Sequence, residues 1–174
     1  MNDSDSTRLW EQFHRTGDPA IFEQLYRAYR EQVMKYYRAV LGDEETAQAL
    51  MHTLFAKLFL RRPPVRTTFR NLLFAWASKL RLRPKSERGE RSAPLPAVDP
   101  PAVDPPTIEQ GEITDAIGGA ISRLPPEERK VFILHAMLGF SFTEIANILG
   151  ISRWTVKRLY DKARRRLQGG LGEF

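Results

Sequence analysis

The chain has 174 residues, of which 42% are hydrophobic, and carries a net charge of +6 with a pI near 9.8. It contains no cysteine, which excludes disulfides and thiolate metal sites, and its three histidines lie far apart in sequence. No metal and no cofactor are therefore expected. No apolar run approaches the ~20 residues of a membrane span, and the acidic N-terminus is unlike a signal peptide. A cytoplasmic protein without membrane insertion is expected.

The basic residues are concentrated in two segments, one from Lys79 to Arg91 and one from Arg153 to Arg166, with an acidic stretch between them. Clustered positive charge is compatible with a polyanionic partner. The sequence shows no paired nucleophile and base, no metal-ligand spacing and no glycine loop of the kind that binds phosphate. These features favour a binding protein over an enzyme.

Residues 1–83 predict a helical domain. Gly17 and Gly42 are expected to end helices, and Asp18, Asp43 and Thr68 are expected to cap the helices that follow. Between these positions apolar residues recur at spacings of three and four, and no segment alternates with the period of a strand. The expected helical core includes Phe22, Leu25, Leu54, Phe55 and Trp76.

Residues 84–112 predict a semi-extended linker. Six prolines lie between Pro94 and Pro106, and the segment Ala97–Pro101 is nearly repeated as Ala102–Pro106. Proline removes a backbone donor and disfavours helix in the residue before it. An ordered surface loop is the alternative. The sequence thus predicts an all-α protein in which a Pro-rich linker joins two small helical domains, residues 1–83 and 113–174.

The second domain has the local features of a helix-turn-helix. Ser141 and Glu144 match a capping box. Ala146 supplies the small residue where the two helices touch, Gly150 tolerates the positive φ of the turn, and Val156 is an apolar anchor in the second helix. A helix-turn-helix inserts the N-terminal half of its second helix into the major groove of DNA.

The outward face of that second helix provides the candidate DNA contacts. Arg158 is expected to reach a guanine, with Lys157 as the alternative, and Arg165 to reach phosphate. A solvated basic face on an ordinary amphipathic helix is the competing interpretation. The candidate DNA-binding residues are Ser152, Arg153, Trp154, Thr155, Lys157, Arg158, Asp161, Lys162 and Arg165.

These motifs also carry a resemblance to a known family. The segments Leu124–Glu127, Gly139–Ala146, Thr155–Lys157 and Ala163–Leu167 resemble region 4 of bacterial sigma factors, in particular the small extracytoplasmic-function (ECF) kind. Residues 22–77 resemble region 2 of that family more loosely. The resemblance implies that the C-terminal domain reads the upstream (minus-35) promoter element. It also implies core RNA polymerase and an anti-sigma protein as candidate partners.

Region 2 of the family docks on the polymerase and captures the melted downstream promoter element. On that basis the candidate docking residues are Leu50, His52, Leu54 and Phe55, and the candidate promoter contacts are Trp76, Lys79, Arg81 and Arg83. The chain departs from the family pattern at Ala49 and His52, where an acid and a glutamine are usual, and at Ser78 and Lys79, where an Arg-Asn pair is usual. A sigma-like DNA-binding regulator that does not melt promoters is therefore the alternative function.

Overall fold

The computed structural model describes residues 1–81 and 118–171, and every regular element within these ranges is helical, which confirms the predicted all-α class. The predicted linker, residues 84–112, lies outside the described residues. No helix in the described ranges is long and apolar enough to cross a bilayer. The helices with both ends in these ranges are α1 (Asp3–Thr16), α2 (Pro19–Leu41), α3 (Glu44–Arg61), α4 (Phe69–Lys79), α5 (Pro126–Phe132), α6 (Phe142–Leu149) and α7 (Arg153–Leu171). Residues 118–122 are helical too.

The helix boundaries in the N-terminal half follow from local capping, as predicted. Gly17 ends α1 with φ of 71° and donates its N–H to the carbonyl of Phe13 over 2.7 Å. The side chains of Asp18, Asp43 and Thr68 each accept a backbone N–H from the first turn of the next helix. These caps satisfy donors that a helix N-terminus leaves unpaired.

Helices α1–α4, here called the N-terminal module, share an aromatic core. Trp10 is fully buried, stacks on Phe69 with ring centroids 5.0 Å apart, and donates its indole N–H to the carbonyl of Pro63 over 3.0 Å. The buried hydroxyl of Tyr29 donates to Ser6 over 2.9 Å and so joins α2 to α1. The predicted core residues Phe22, Leu25, Leu54 and Phe55 are buried, and Trp76 is half-buried at the edge of the core.

The described residues after the linker, 118–171, form the C-terminal module. Its α5 continues into a π-helical turn, Ile133–Met137, which the sequence did not predict. The N–H of Leu138 bonds to the carbonyl of Ile133 over 3.1 Å, which is an i to i−5 bond. Gly139, the expected helix end, follows with φ of 73°. This left-handed conformation ends the helical backbone before Phe140.

The two modules pack against each other. Phe140 is fully buried; its ring meets Phe74 of α4 edge-on, at 5.1 Å between centroids, and carries the guanidinium of Arg70 at 3.9 Å. Arg70 also donates a hydrogen bond to the carbonyl of Leu138. A second bond, 2.7 Å long, runs from Arg129 to the carbonyl of Val40 at the end of α2. Phe140, Arg70 and Phe74, with the two hydrogen bonds, are called the inter-module contact below.

Candidate nucleic-acid interface

Helix α6 is the first helix of the helix-turn-helix, and its start is fixed by a complete capping box. The N–H of Glu144 donates to the hydroxyl of Ser141 over 3.2 Å, and the carboxylate of Glu144 accepts the N–H of Ser141 over 2.8 Å. Ile145 and Ile148 are buried on its inner face, and Ala146 is half-buried. The cap and the apolar face together hold α6 in one position against the module.

The turn between α6 and α7 spans three residues, Gly150–Ser152. Gly150 has φ of 70° and donates its N–H to the carbonyl of Ala146 over 2.9 Å, and Ile151 donates to the same carbonyl over 3.1 Å. The hydroxyl of Ser152 then accepts the N–H of Thr155 over 3.1 Å, which caps α7. A side chain with a Cβ is disfavoured at this φ, so the tight turn requires Gly150.

The second helix, α7, is anchored on its inner face. Val156 and Ala163 are fully buried. Tyr160 lies 4.7 Å from the ring of His135 and 5.5 Å from that of Phe142, between centroids, so α7 rests on both the π-helical turn and α6. This packing fixes the rotation of α7 about its own axis.

The outward face of α7 carries the predicted DNA contacts. Since Val156 and Ala163 point inward, the positions opposite them point away from the protein. Thr155 and Asp161 are half-buried. The exposed members of the predicted set are Ser152, Arg153, Trp154, Lys157, Arg158, Lys162 and Arg165. The structure therefore brings all nine predicted residues onto one helix and its cap, and exposes seven of them.

Positive charge dominates this helix. Between residues 152 and 167 the sequence has seven basic side chains and one acidic side chain, Asp161. Within the described parts of the chain, Arg166 is the one basic residue of this set that forms an ion pair: its Nε lies 2.9 Å from the carboxylate of buried Glu128. Arg166 thus joins α7 to α5. No local pattern in the sequence indicates this pairing.

The predicted polymerase-docking set divides into a buried and an exposed part. Leu50, Leu54 and Phe55 are 2%, 0% and 3% exposed, so their side chains belong to the core of the N-terminal module. His52, on the opposite face of α3, is exposed. Apolar residues at helical spacing face the core because burial removes them from water. Of this set, only His52 offers its side chain to a partner.

The candidate promoter contacts of the N-terminal module lie at the end of α4. Lys79 and Arg81 are exposed and Trp76 is half-buried. Arg83 lies outside the described residues. The structure thus leaves a short basic segment at this end of the module, with an aromatic ring one helical turn before Lys79.

Comparison with a family model identifies the C-terminal module. Residues 114–167 match the model for sigma-70, region 4. The protein named ECF RNA polymerase sigma factor SigM, from Mycobacterium tuberculosis, is 29% identical to this chain over 164 residues. The alignment covers 91% of this chain and 81% of that protein. The match thus extends beyond the helix-turn-helix into the N-terminal module.

Solved structures with similar folds cover most of the chain. The structure of CnrH in complex with the cytosolic domain of CnrY has a TM-score of 0.72 at 19% identity, and covers 97% of both chains. The sigma factor RpoE from Bartonella quintana, solved with the anti-sigma factor NepR, has a TM-score of 0.66 at 21% identity. That match covers 87% of this chain and 96% of the other. These likenesses establish the fold.

Proposed function

We propose that this chain is a sigma factor of the ECF group, which binds core RNA polymerase and directs it to promoter DNA. The observation that carries the proposal is the α6–α7 helix-turn-helix, which lies within the region 4 match. Its outward face is exposed, basic and opposite a buried anchor. That combination suits a helix that enters the major groove beside phosphates.

The proposal assigns different tasks to the parts of the chain. The C-terminal domain, residues 113–174, reads the upstream promoter element as a duplex, with Arg158 at a base and Arg165 at phosphate. The N-terminal domain, residues 1–83, docks on the polymerase through the exposed face of α3, which includes His52. Residues 84–112 join the two domains. In this proposal Lys79 and Arg81, which are exposed, contact the promoter near the melted element.

The test is reconstitution with core polymerase. The purified chain is mixed with core enzyme, and both pull-down and run-off transcription from genomic promoter fragments are measured. We expect stoichiometric capture and start-site-specific transcripts, both absent without the chain. Arg158→Ala should reduce the transcripts but not the capture, and Arg15→Ala, at an exposed arginine of α1, should change neither. Lack of capture by core enzyme would contradict the proposal.

A sigma-like regulator that does not melt promoters is the second candidate. The burial of Leu50, Leu54 and Phe55 favours it, because it leaves few side chains of the predicted docking set available to polymerase. A template with a pre-melted bubble at the start site separates the two functions. An initiation factor transcribes from both duplex and bubble templates, whereas a factor that only recruits polymerase transcribes from the bubble template alone.

The proposal also identifies the partners. Promoter DNA and core polymerase are the binding partners of the two faces described above, and an anti-sigma protein is a third candidate partner. The role consists of binding and positioning rather than catalysis. Since bacterial promoters and polymerase are in the cytoplasm, the proposal places the chain there.

A further inference from the structure

Trp154 is the one Phe, Tyr or Trp side chain of the described residues with a largely exposed ring. It is 66% exposed at the start of α7, whereas Trp10 is fully buried. A single exposed apolar side chain needs no special explanation. Trp154, however, lies on the face of α7 that the proposed function assigns to DNA, so the contacts of its ring bear on how DNA is bound.

The ring of Trp154 supports the guanidinium of Arg158. The Cζ atom of Arg158 lies 4.9 Å from the centroid of the Trp154 ring, one helical turn away. Within the described parts of the chain, Arg158 forms no ion pair. A cation held on an aromatic face loses fewer orientations when it binds, because its planar group is already placed. Arg158 therefore presents its donors outward in a restricted geometry.

The rotation of α7 places this pair at the centre of the outward face. Trp154, Arg158 and Arg165 are separated by four and seven residues, which brings them close to one line along a helix with about 100° per residue. That line lies opposite Val156 and Ala163, which are fully buried. Lys157 is turned about 100° from Arg158, toward the side of the helix. Arg158, and not Lys157, is thus the central base-facing cation.

Base edges in the major groove suit the two side chains differently. An arginine fork bonds O6 and N7 of guanine, and an apolar side chain contacts the methyl group of thymine. The 4.9 Å between the ring and the guanidinium is of the same order as the ~3.4 Å rise of one base pair, so the two groups can reach neighbouring pairs. We propose that Trp154 and Arg158 act as one unit that reads a guanine beside a thymine in duplex DNA. This inference rests on the proposed function.

The test begins with selection of randomised duplexes by the full chain bound to core polymerase. We expect the selected sites to share a guanine next to a base pair that contains thymine. Two analogues then remove single groups: 7-deazaguanine lacks the N7 acceptor, and deoxyuridine lacks the thymine methyl. Affinity should fall about 5-fold or more with the first, as for loss of a base-specific contact. It should fall about 3- to 4-fold with the second, as for one buried methyl group.

Substitutions show whether the two residues act together. Arg158→Ala should abolish the penalty for 7-deazaguanine. Arg158→Lys should keep part of that penalty, because an ammonium can still donate to N7 but lacks the planar fork that bonds O6 and N7 together. Trp154→Ala should abolish the penalty for deoxyuridine and also reduce the penalty for 7-deazaguanine, since Arg158 loses its support. Trp154→Phe should retain part of both. Arg165→Ala is the matched control: it should weaken all duplexes alike and leave both penalties intact.

The outcomes distinguish a failure of the proposed function from a failure of the Trp154–Arg158 unit. If the complex with polymerase selects no duplex, both the proposed function and this inference are wrong. If it selects a duplex but Trp154→Ala keeps both analogue penalties, the proposed function stands and the Trp154–Arg158 unit is wrong. Circular dichroism of each variant checks that a loss of binding does not come from unfolding.

Discussion

Arg70 and Phe140 lie 70 positions apart in sequence and yet form a cation–π pair, with the guanidinium 3.9 Å from the ring centroid. The pair joins α4 to the segment between the π-helical turn and α6. Arg70 also donates to the carbonyl of Leu138. A charged group that makes both a cation–π contact and a hydrogen bond stabilises an association by on the order of 2 kcal/mol. This relationship is therefore the first place to test how the two modules associate.

Arg70→Ala should weaken the inter-module contact by about 2 kcal/mol, because it removes both the cation–π contact and the hydrogen bond. Small-angle X-ray scattering should show a larger radius of gyration, and heat denaturation should broaden as the modules unfold less cooperatively. The control is Arg66→Ala, which replaces an exposed arginine just before α4. This variant should change neither the radius of gyration nor the heat denaturation. An unchanged radius for Arg70→Ala would show that this contact does not hold the modules together.

Cleavage of the chain between the modules tests the same contact without altering it. A specific protease site is introduced between residues 84 and 112, and the chain is cut after folding. Since Phe140 remains buried against α4, we expect the two fragments to elute together in size-exclusion chromatography. Cleaved Arg70→Ala should elute as two separate fragments. If the two fragments of the cleaved chain with Arg70 intact elute separately, the contact between the modules requires a covalent connection.

Tyr36 and Tyr37 are buried neighbours with different hydrogen bonding. The hydroxyl of Tyr37 donates to the carbonyl of Ala77 over 3.2 Å, whereas that of Tyr36 has no partner among the described residues. Tyr37→Phe should therefore lower the free energy of unfolding by about 1 kcal/mol, and Tyr36→Phe should leave it unchanged or raise it by up to about 1 kcal/mol. Urea denaturation at neutral pH measures both. A larger loss for Tyr36→Phe would show that its hydroxyl has a partner in solution.

The same tyrosines predict the alkaline stability of the fold. Desolvation by burial raises the pKa of both phenols above the ordinary tyrosine value. Because the folded state favours the protonated form, their contribution to stability is complete below about pH 10 and is lost as the pH rises above it. The wild type should lose stability above that pH more steeply than Tyr36→Phe. Parallel pH profiles would show that Tyr36 does not ionise on unfolding.

Two adjacent arginines of α7 should separate stability from DNA binding. Arg166→Ala leaves the carboxylate of Glu128 buried without its cation, so the free energy of unfolding should fall by about 1–2 kcal/mol. Arg165 is exposed and, among the described residues, donates only to the backbone carbonyl of Asp161, 3.3 Å away. Arg165→Ala should keep stability within ~0.5 kcal/mol and lower the salt dependence of DNA binding by about one unit. The reverse result would exchange the roles of the two residues.

Local chemistry explains why the helix boundaries could be predicted. Gly17, Asp43 and the Ser141–Glu144 capping box each act through atoms within four residues in sequence, so a short segment contains all the information. The helix-turn-helix is equally local, since Gly150 and Ser152 define the turn and Val156 the anchor. The family resemblance rests on the same short segments.

Long-range contacts explain what could not be predicted. The π-helical turn depends on how α5 packs, and no residue type marks it in sequence. The Glu128–Arg166 pair joins residues on two helices, and Arg70 meets Phe140 across the linker. The proposed choice of Arg158 over Lys157 likewise uses the rotation of α7, which Val156 and Tyr160 fix by packing. The docking set was placed by resemblance alone, and three of its four side chains are in the core.

The inter-module contact also has a thermodynamic consequence for binding. Both modules belong to one chain, so their association is intramolecular and does not depend on the concentration of the protein. A contact too weak to hold two separate molecules together can therefore keep the two modules of one chain associated in most molecules. This associated state is called the closed form. For a partner that binds only the separated modules, a closed form favoured by about 1.4 kcal/mol weakens the apparent affinity about tenfold. Substitutions at Arg70 or Phe140 would thus tune such affinities without touching the surface where the partner binds.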